Sequence, residues 1–159
     1  MSEIAKTSFE ELLARDGFLV YRTRGVSMEP MLRQNRDLVV IQVPSSRLKK
    51  YDVALYKRGK DYVLHRVIGV EEGFYRIRGD NTYAIEIVPD AAVIGVLTSF
   101  KRKGKDIGTD NRAYMVYSRI WNVLYPLRYG CIRLRRFAIS IARKTGLLPL
   151  LKKRRTKQQ

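Results

Sequence analysis

The chain has 159 residues, of which 45% are hydrophobic and 10% aromatic, and its formal net charge is +17. A chain of this length and composition can bury one core, which argues against an intrinsically disordered protein. Its single cysteine, Cys131, excludes an intrachain disulfide and a cysteine-based zinc cluster. We predict neither a metal nor a cofactor.

The positive charge is concentrated towards the C-terminus. Asp110 is the last acidic residue, and the 49 residues after it carry 13 Lys or Arg side chains. Residues 1–110 hold 19 basic and 15 acidic side chains, so their net charge is only +4. We therefore divide the chain into a β-rich body, 1–110, and a basic helical tail, 111–159. The tail is expected to bind an anionic partner, either lipid or nucleic acid.

The first predicted element is a short helix. Thr7 or Ser8, followed by Glu10 or Glu11, matches a capping box, and Gly17 would end the helix. The acidic residues of this segment and its lack of a long apolar run exclude a secretory signal peptide.

Short β-strands are predicted from Phe18 to Phe100. Six segments are rich in Val, Ile, Tyr and Phe and are separated by Gly, Pro, Asn or Asp: FLVYRTR, DLVVIQV, DVALYKR, DYVLHRVIGV, GFYRIRG and AVIGVLTSF. Gly59 and Gly73 lie in links that are short enough for hairpins. The pattern predicts a mainly β body built as an antiparallel meander.

After Asp110 the apolar period changes to three and four residues, which predicts two amphipathic helices interrupted near Pro126. Their apolar stripes are Tyr114, Tyr117, Trp121, Leu124 and Tyr125, then Leu134, Phe137, Ala138 and Ile141. KTG and LLPLL would close the second helix, and KKRRTK would remain as a frayed end. The uncharged runs Ala91–Phe100 and Ile120–Leu127 are shorter than the ~18 residues of a membrane-spanning helix. No transmembrane helix is predicted.

Ser27 could act as a nucleophile only if a base removes its proton. The one histidine, His65, lies in a predicted strand on the face of Val63 and Val67, where a neutral imidazole could be sheltered. Asp80 follows the next strand and could orient that imidazole. Each residue also has a structural interpretation: a turn before Pro30 for Ser27, a half-buried strand histidine, and an ordinary Gly-Asp-Asn turn.

The order and surroundings of these residues resemble serine peptidases of the S24/S26 superfamily, and within it the type I signal peptidases. SMEP, which begins at Ser27, matches the nucleophile box of that family. The segment from His65 to Val67 matches the box of the histidine-using endoplasmic-reticulum and archaeal branch, and GDN around Asp80 matches the third box. Glu86 stands about where that branch has a further acid. The resemblance spans roughly residues 25–96.

This resemblance implies coiled antiparallel sheets of the signal-peptidase and repressor-protease type, with a short N-terminal helix and a basic helical appendage. It also implies a serine endopeptidase that cleaves a peptide or pre-protein, in which His65 activates Ser27. Asp80 would orient His65, with Glu86 as the rival acid. The backbone N–H of Ser27 would help to form the oxyanion hole. Gly25 stands where the family usually has a serine hydroxyl, so a backbone donor or water is expected there.

Signal peptidases usually have an N-terminal membrane span, and none is predicted here. We expect the tail to provide peripheral membrane association instead, through candidate contacts at Trp121, Tyr125, Arg128, Arg135 and Arg136. Alternatively, the aromatic stripe packs on the β body and the cations are solvated. The alternative function is a catalytically silent β domain whose tail binds anionic lipid or, less favoured, nucleic acid.

Overall fold

The structure is a computed structural model that describes residues 8–144, without the side chains of residues 132, 135, 136, 138, 139 and 142–144. It divides into two compact units, Met1–Asn122 and Val123–Gln159. The sequence places this boundary earlier, after residue 110. All the described strands lie in the first unit.

Helix α1 (Phe9–Asp16) begins at the predicted capping box. The Glu11 backbone N–H donates to Ser8 Oγ at 3.2 Å, and the Ser8 N–H donates to Glu11 Oε2 at 3.0 Å. Gly17 ends the helix in the left-handed conformation, with a φ of 75°. Leu13 is buried and packs this helix on the body. The predicted helix is confirmed.

Eight strands form one open antiparallel sheet, which confirms the predicted mainly β architecture. The strands are β1 (Phe18–Arg22), β2 (Leu38–Gln42), β3 (Val53–Arg58), β4 (Asp61–Glu71), β5 (Phe74–Arg78), β6 (Glu86–Pro89), β7 (Val93–Arg102) and β8 (Lys105–Gly108). A short 3₁₀ helix, Asp90–Ala92, precedes β7. The strand order is β1-β2-β7-β3-β4-β5-β6, and β8 pairs with β7.

The sheet departs from a simple meander in two ways. Strands β3, β4 and β5 follow one another as predicted, but β7 returns to lie between β2 and β3. Strands β6 and β8, of four residues each, were not predicted. Both are short, β6 ends at Pro89, and β8 lacks the apolar alternation that identifies a strand in sequence.

Strand β3 lies at the centre of the core. Val53 and Leu55 pack in one apolar cluster, and Ala54 and Tyr56 pack in a second one. All four residues are at most 1% exposed. Because successive side chains of a strand point to opposite faces, apolar clusters cover β3 on both sides. His65 is paired with Ala54 in the neighbouring strand, so the base candidate is anchored to the most buried part of the sheet.

The predicted pair of helices is confirmed as α2 (Arg112–Val123) and α3 (Tyr125–Lys144). Asn111 caps α2, because its side-chain oxygen accepts from the N–H groups of Ala113 and Tyr114. Pro126 lies in the first turn of α3, where proline is tolerated. The segments predicted to close and follow α3, residues 145–157, lie outside the described residues. No helix in the described part of the chain is long and apolar enough to cross a membrane.

Candidate active site

Ser27 lies in a turn between β1 and β2 that is anchored to the core. Gly25, with a φ of 83°, turns the chain away from β1 in a conformation that favours glycine. The following Met28, Met31 and Leu32 are 5%, 1% and 1% exposed, and they hold the turn on the first apolar cluster. The nucleophile candidate is therefore on a supported loop, and its own side chain remains partly exposed.

The Gly-Asp-Asn turn after β5 packs directly on this loop. The backbone N–H of Asn81 donates to the carbonyl oxygen of Ser27 at 2.7 Å, and Asn81 Nδ2 donates to the carbonyl oxygen of Val26 at 3.1 Å. A Cβ atom added at Gly79 would lie 2.7 Å from that Ser27 oxygen and 3.0 Å from His65 Nε2. A side chain at position 79 would therefore separate the elements that carry the two candidate residues.

The surroundings of His65 define its tautomer. The imidazole is buried, and its Nδ1 lies 3.1 Å from the Tyr56 hydroxyl and 3.3 Å from Glu86 Oε1. The Tyr56 hydroxyl hydrogen-bonds to Glu86, and a carboxylate only accepts hydrogen bonds, so a proton on Nδ1 suits both of its neighbours. Nε2 then holds the free lone pair on the side of the ring that faces Gly79 and the Ser27 loop. This is the tautomer that a general base requires.

Burial lowers the pKa of His65 below its ordinary value, while the charge of Glu86 acts in the opposite direction. The imidazole is therefore neutral at pH 7 and can accept a proton. Burial also raises the pKa of Tyr56, and its hydrogen bond to Glu86 adds to this shift. The phenol consequently stays protonated beside the Nδ1 edge of the ring.

Asp80 has a different partner. Its two carboxylate oxygens accept from Arg66 Nε and Nη2, each at 2.8 Å. Arg66 is fully buried, and burial opposes its charge, but Asp80 more than compensates and keeps the Arg66 pKa above its ordinary value. Of the two rival acids, Asp80 thus neutralises a buried guanidinium and Glu86 lies beside the imidazole. This geometry favours Glu86 as the orienting acid.

Helix α2 completes the surroundings of Arg66 and Asp80. Tyr114 Oη and Ser118 Oγ lie 3.1 and 3.0 Å from Arg66 Nη1. The Tyr117 hydroxyl donates to Asp80 Oδ2 at 3.2 Å, and Trp121 Nε1 donates to the Asp80 carbonyl oxygen at 3.0 Å. The sequence pattern revealed the aromatic stripe, but it did not reveal that the polar atoms of this stripe bind the Gly-Asp-Asn turn.

The five predicted membrane contacts are divided between the two units. Trp121 stacks on Tyr117, with ring centroids 5.6 Å apart, in the unit that holds the site. Tyr125 and Arg128 belong to the second unit, where Tyr125 stacks on Tyr129. Arg135 and Arg136 are part of the α3 backbone, and their side chains lie outside the described residues.

Ser27 and His65 both line a cavity of about 1090 Å³. One wall is the end of β1 with the residues that follow it, from Tyr21 to Gly25, and the other is the β3–β4 hairpin from Arg58 to His65. Within the described residues, no group of three or more His, Cys, Asp or Glu side chains is placed to hold a metal ion. The cavity can admit an extended ligand to both candidate residues.

No protein-family model matches this chain, and no curated protein matches it.

Proposed function

We propose that this chain is a serine endopeptidase of the signal-peptidase type. Ser27 is the nucleophile, His65 is the general base, and Glu86 orients and stabilises the imidazole. The observation that carries the proposal is the convergence at Gly79, where the Ser27 carbonyl and His65 Nε2 both lie within 3.0 Å of one point. On this proposal the open sheet is of the signal-peptidase and repressor-protease type.

The proposed reaction is an acyl transfer that needs only these side chains and water. Nε2 of His65 removes the Ser27 proton while Oγ attacks the peptide carbonyl, and Glu86 stabilises the imidazolium through Nδ1–H. The backbone N–H of Ser27, assisted by that of Gly25 or by water, stabilises the oxyanion. His65 then protonates the leaving amine. Finally it activates the water that releases the acyl group from Ser27.

Two strand edges support an extended peptide as the ligand. Among the described strands, β1 pairs only with β2, so its other edge is open. Residues Asp61–His65 of β4 pair with β3, whereas the pairing of β4 with β5 begins at Arg66. Both open edges belong to the cavity walls, and open edges offer backbone hydrogen bonds to an added strand.

The second unit supports association with an anionic membrane surface. On α3, Leu127, Leu134, Phe137 and Ile141 are 65%, 69%, 64% and 45% exposed, and their spacing places them on one face of the helix. Arg128 and Arg133 add positive charge, which contributes about 1 kcal/mol per side chain near an anionic bilayer. Sedimentation of the full chain with phosphatidylserine vesicles, and not with neutral phosphatidylcholine vesicles, tests this part of the proposal.

The catalytic proposal is tested by comparing the wild type with Ser27→Ala, His65→Ala and the control Ser46→Ala, which changes an exposed loop serine. The substrates are a library of fluorogenic peptides with small residues before the scissile bond. We expect the wild type and the control to cleave the same peptides, and both site variants to lose about 10³-fold or more in kcat/KM. A fluorophosphonate probe should label Ser27 in the wild type.

Undiminished cleavage by folded Ser27→Ala would contradict the assignment of the nucleophile. A wild type that neither cleaves any peptide nor reacts with the probe would instead support the silent lipid-binding or nucleic-acid-binding domain.

A further inference from the structure

We infer that the cavity selects peptides with acidic side chains several residues from the scissile bond, and that Arg22, Arg24 and Lys60 bind those acidic side chains. The inference rests on the proposed function, because it names the substrate class of the same site.

The first observation is the sign of the charge on the cavity walls. Among residues 8–144, four basic side chains line the cavity: Arg22, Arg24, Arg58 and Lys60. Asp61 is the only acidic residue that lines it within the described part of the chain. The first 110 residues have 19 basic and 15 acidic side chains, a net charge of +4. The described cavity lining, with four basic residues and one acidic residue, holds most of this net positive charge. Cationic side chains that line one cavity concentrate the positive potential inside it.

The second observation is that three of these charges are available. Arg58 is paired with Glu86 at 3.2 Å, and Lys57, its neighbour on the hairpin, is paired with Glu10 at 2.9 Å. Arg22, Arg24 and Lys60, by contrast, are exposed and form no ion pair with another described residue. A carboxylate that enters the cavity therefore does not have to displace an existing partner from them.

The third observation is the position of the cations relative to the chemistry. Lys60 precedes His65 by five residues, at the end of the hairpin, which corresponds to about 16 Å along an extended strand. Arg22 and Arg24 precede Ser27 on the opposite wall. A peptide that adds as a strand advances by the same length per residue, so its acidic side chains would lie about five residues from the scissile bond.

The aromatic residues of the cavity lining are compatible with a peptide ligand. Phe9 stacks on Tyr62 with centroids 4.5 Å apart, and Phe9 also packs against Tyr21 at 5.0 Å. These three rings also line the cavity, so an apolar residue of the ligand can pack against them. Because the rings already pack on one another and the walls are strand edges, peptide binding is favoured over stacking of nucleotide bases.

The test uses the full chain and fluorogenic peptides that share one small-residue cleavage sequence. They carry two Glu, two Gln or two Lys about five residues from the scissile bond, on either its N-terminal or its C-terminal side. For one of these two placements, we expect kcat/KM of the Glu peptide to be at least 10-fold higher than that of its Gln analogue. The Lys peptide should have the lowest kcat/KM. The preference should shrink as NaCl is raised from 0.05 to 0.5 M.

The double variant Arg24→Gln/Lys60→Gln should abolish the preference for Glu. The matched control Lys49→Gln/Lys105→Gln loses the same charge from exposed positions outside the cavity lining and should keep it. Equal rates for Glu and Gln peptides on both sides, in an active wild type, would overturn the inference and leave the proposed function standing.

Peptide binding to Ser27→Ala distinguishes a failure of the proposed function from a failure of the charge selection. Fluorescence anisotropy should show tighter binding of the Glu peptide than of the Gln peptide, whether or not the wild type cleaves it. If the wild type never cleaves but this preference persists, the proposed function fails and the charge selection stands. If single-stranded DNA binds Ser27→Ala more tightly than the Glu peptide, and loses that binding in the Arg24→Gln/Lys60→Gln background, the cavity is a nucleic-acid site and the inference is overturned.

Discussion

Glu86 and Asp80 have the same chemical group, and their neighbours give them different roles. Glu86 lies 3.3 Å from His65 Nδ1 and raises the pKa of an imidazole that burial lowers. In Glu86→Gln that opposing effect is lost, so the His65 pKa should fall further. We expect kcat to fall by 10- to 100-fold, because the imidazolium formed during the reaction loses its counter-charge.

The pH dependence of kcat/KM tests whether Glu86 raises the pKa of His65. Only neutral His65 accepts a proton, so kcat/KM should rise with pH and reach its plateau with a midpoint below 6.5, the ordinary pKa of histidine. In Glu86→Gln the midpoint should move to lower pH while the plateau drops. Because the chain has one histidine, NMR of its ring protons follows this pKa directly. A midpoint that rises would contradict the role of Glu86.

Removing the charge of Asp80 should act mainly on stability. Asp80→Asn would leave the guanidinium of Arg66, which is 0% exposed, without its counter-charge. Breaking a buried ion pair from one side typically costs about 3–5 kcal/mol, and we expect a loss of this size in the free energy of unfolding. Urea denaturation measures it. A stable but inactive Asp80→Asn, together with an unfolded Glu86→Gln, would show that the two acids have exchanged roles.

Helix α2 connects a buried network to the loop that carries Ser27. It binds Asp80 through Tyr117 and Trp121, and the same turn holds the Ser27 carbonyl through Asn81. Trp121→Phe keeps an aromatic ring but removes the N–H that binds the Asp80 carbonyl. We expect kcat to fall several-fold with little change in KM and in melting temperature, because the turn that fixes the loop loses one anchor.

Val116→Ala serves as the control for Trp121→Phe, because Val116 is an exposed residue of the same helix. It should leave kcat unchanged. Equal kcat values for Trp121→Phe and the wild type would show that α2 only covers the sheet.

The elements that sequence predicted correctly are those with local signals. Ser8 with Glu11 marks the start of α1, Gly59 and Gly73 mark hairpins, and the apolar period marks α2 and α3. The return of β7 between β2 and β3 was not predicted, because pairing between distant strands leaves no local pattern. The site shows the same division. The order of the motifs makes Ser27 and His65 candidates, but the partner of each acid depends on contacts of Arg66 and Tyr56 across strands.

Two truncations of the C-terminal region, after Asp110 and after Asn122, should have different effects on the whole molecule. Ending the chain after Asp110 removes Tyr114 and Ser118, which lie within hydrogen-bond distance of buried Arg66. The truncation also removes buried Tyr114 from the first apolar cluster, and each lost hydrogen bond contributes about 1 kcal/mol, so the shortened chain should unfold at a lower urea concentration. Ending after Asn122 keeps those contacts and should preserve cleavage, while binding to phosphatidylserine vesicles is lost. Equal stability of the two truncations would contradict this account.

The open edge of β1 has a further consequence for the behaviour of the protein at high concentration. An edge that can accept a peptide strand can also accept the same edge of another molecule, which is a common route to aggregation. Antiparallel pairing of two such edges centred on Arg22 would place the two Arg22 side chains opposite each other, with the Arg24 side chains nearby. The repulsion between these like charges would disfavour that pairing, whereas the same positive charge would attract an acidic strand, so the arginines would oppose self-association through this edge.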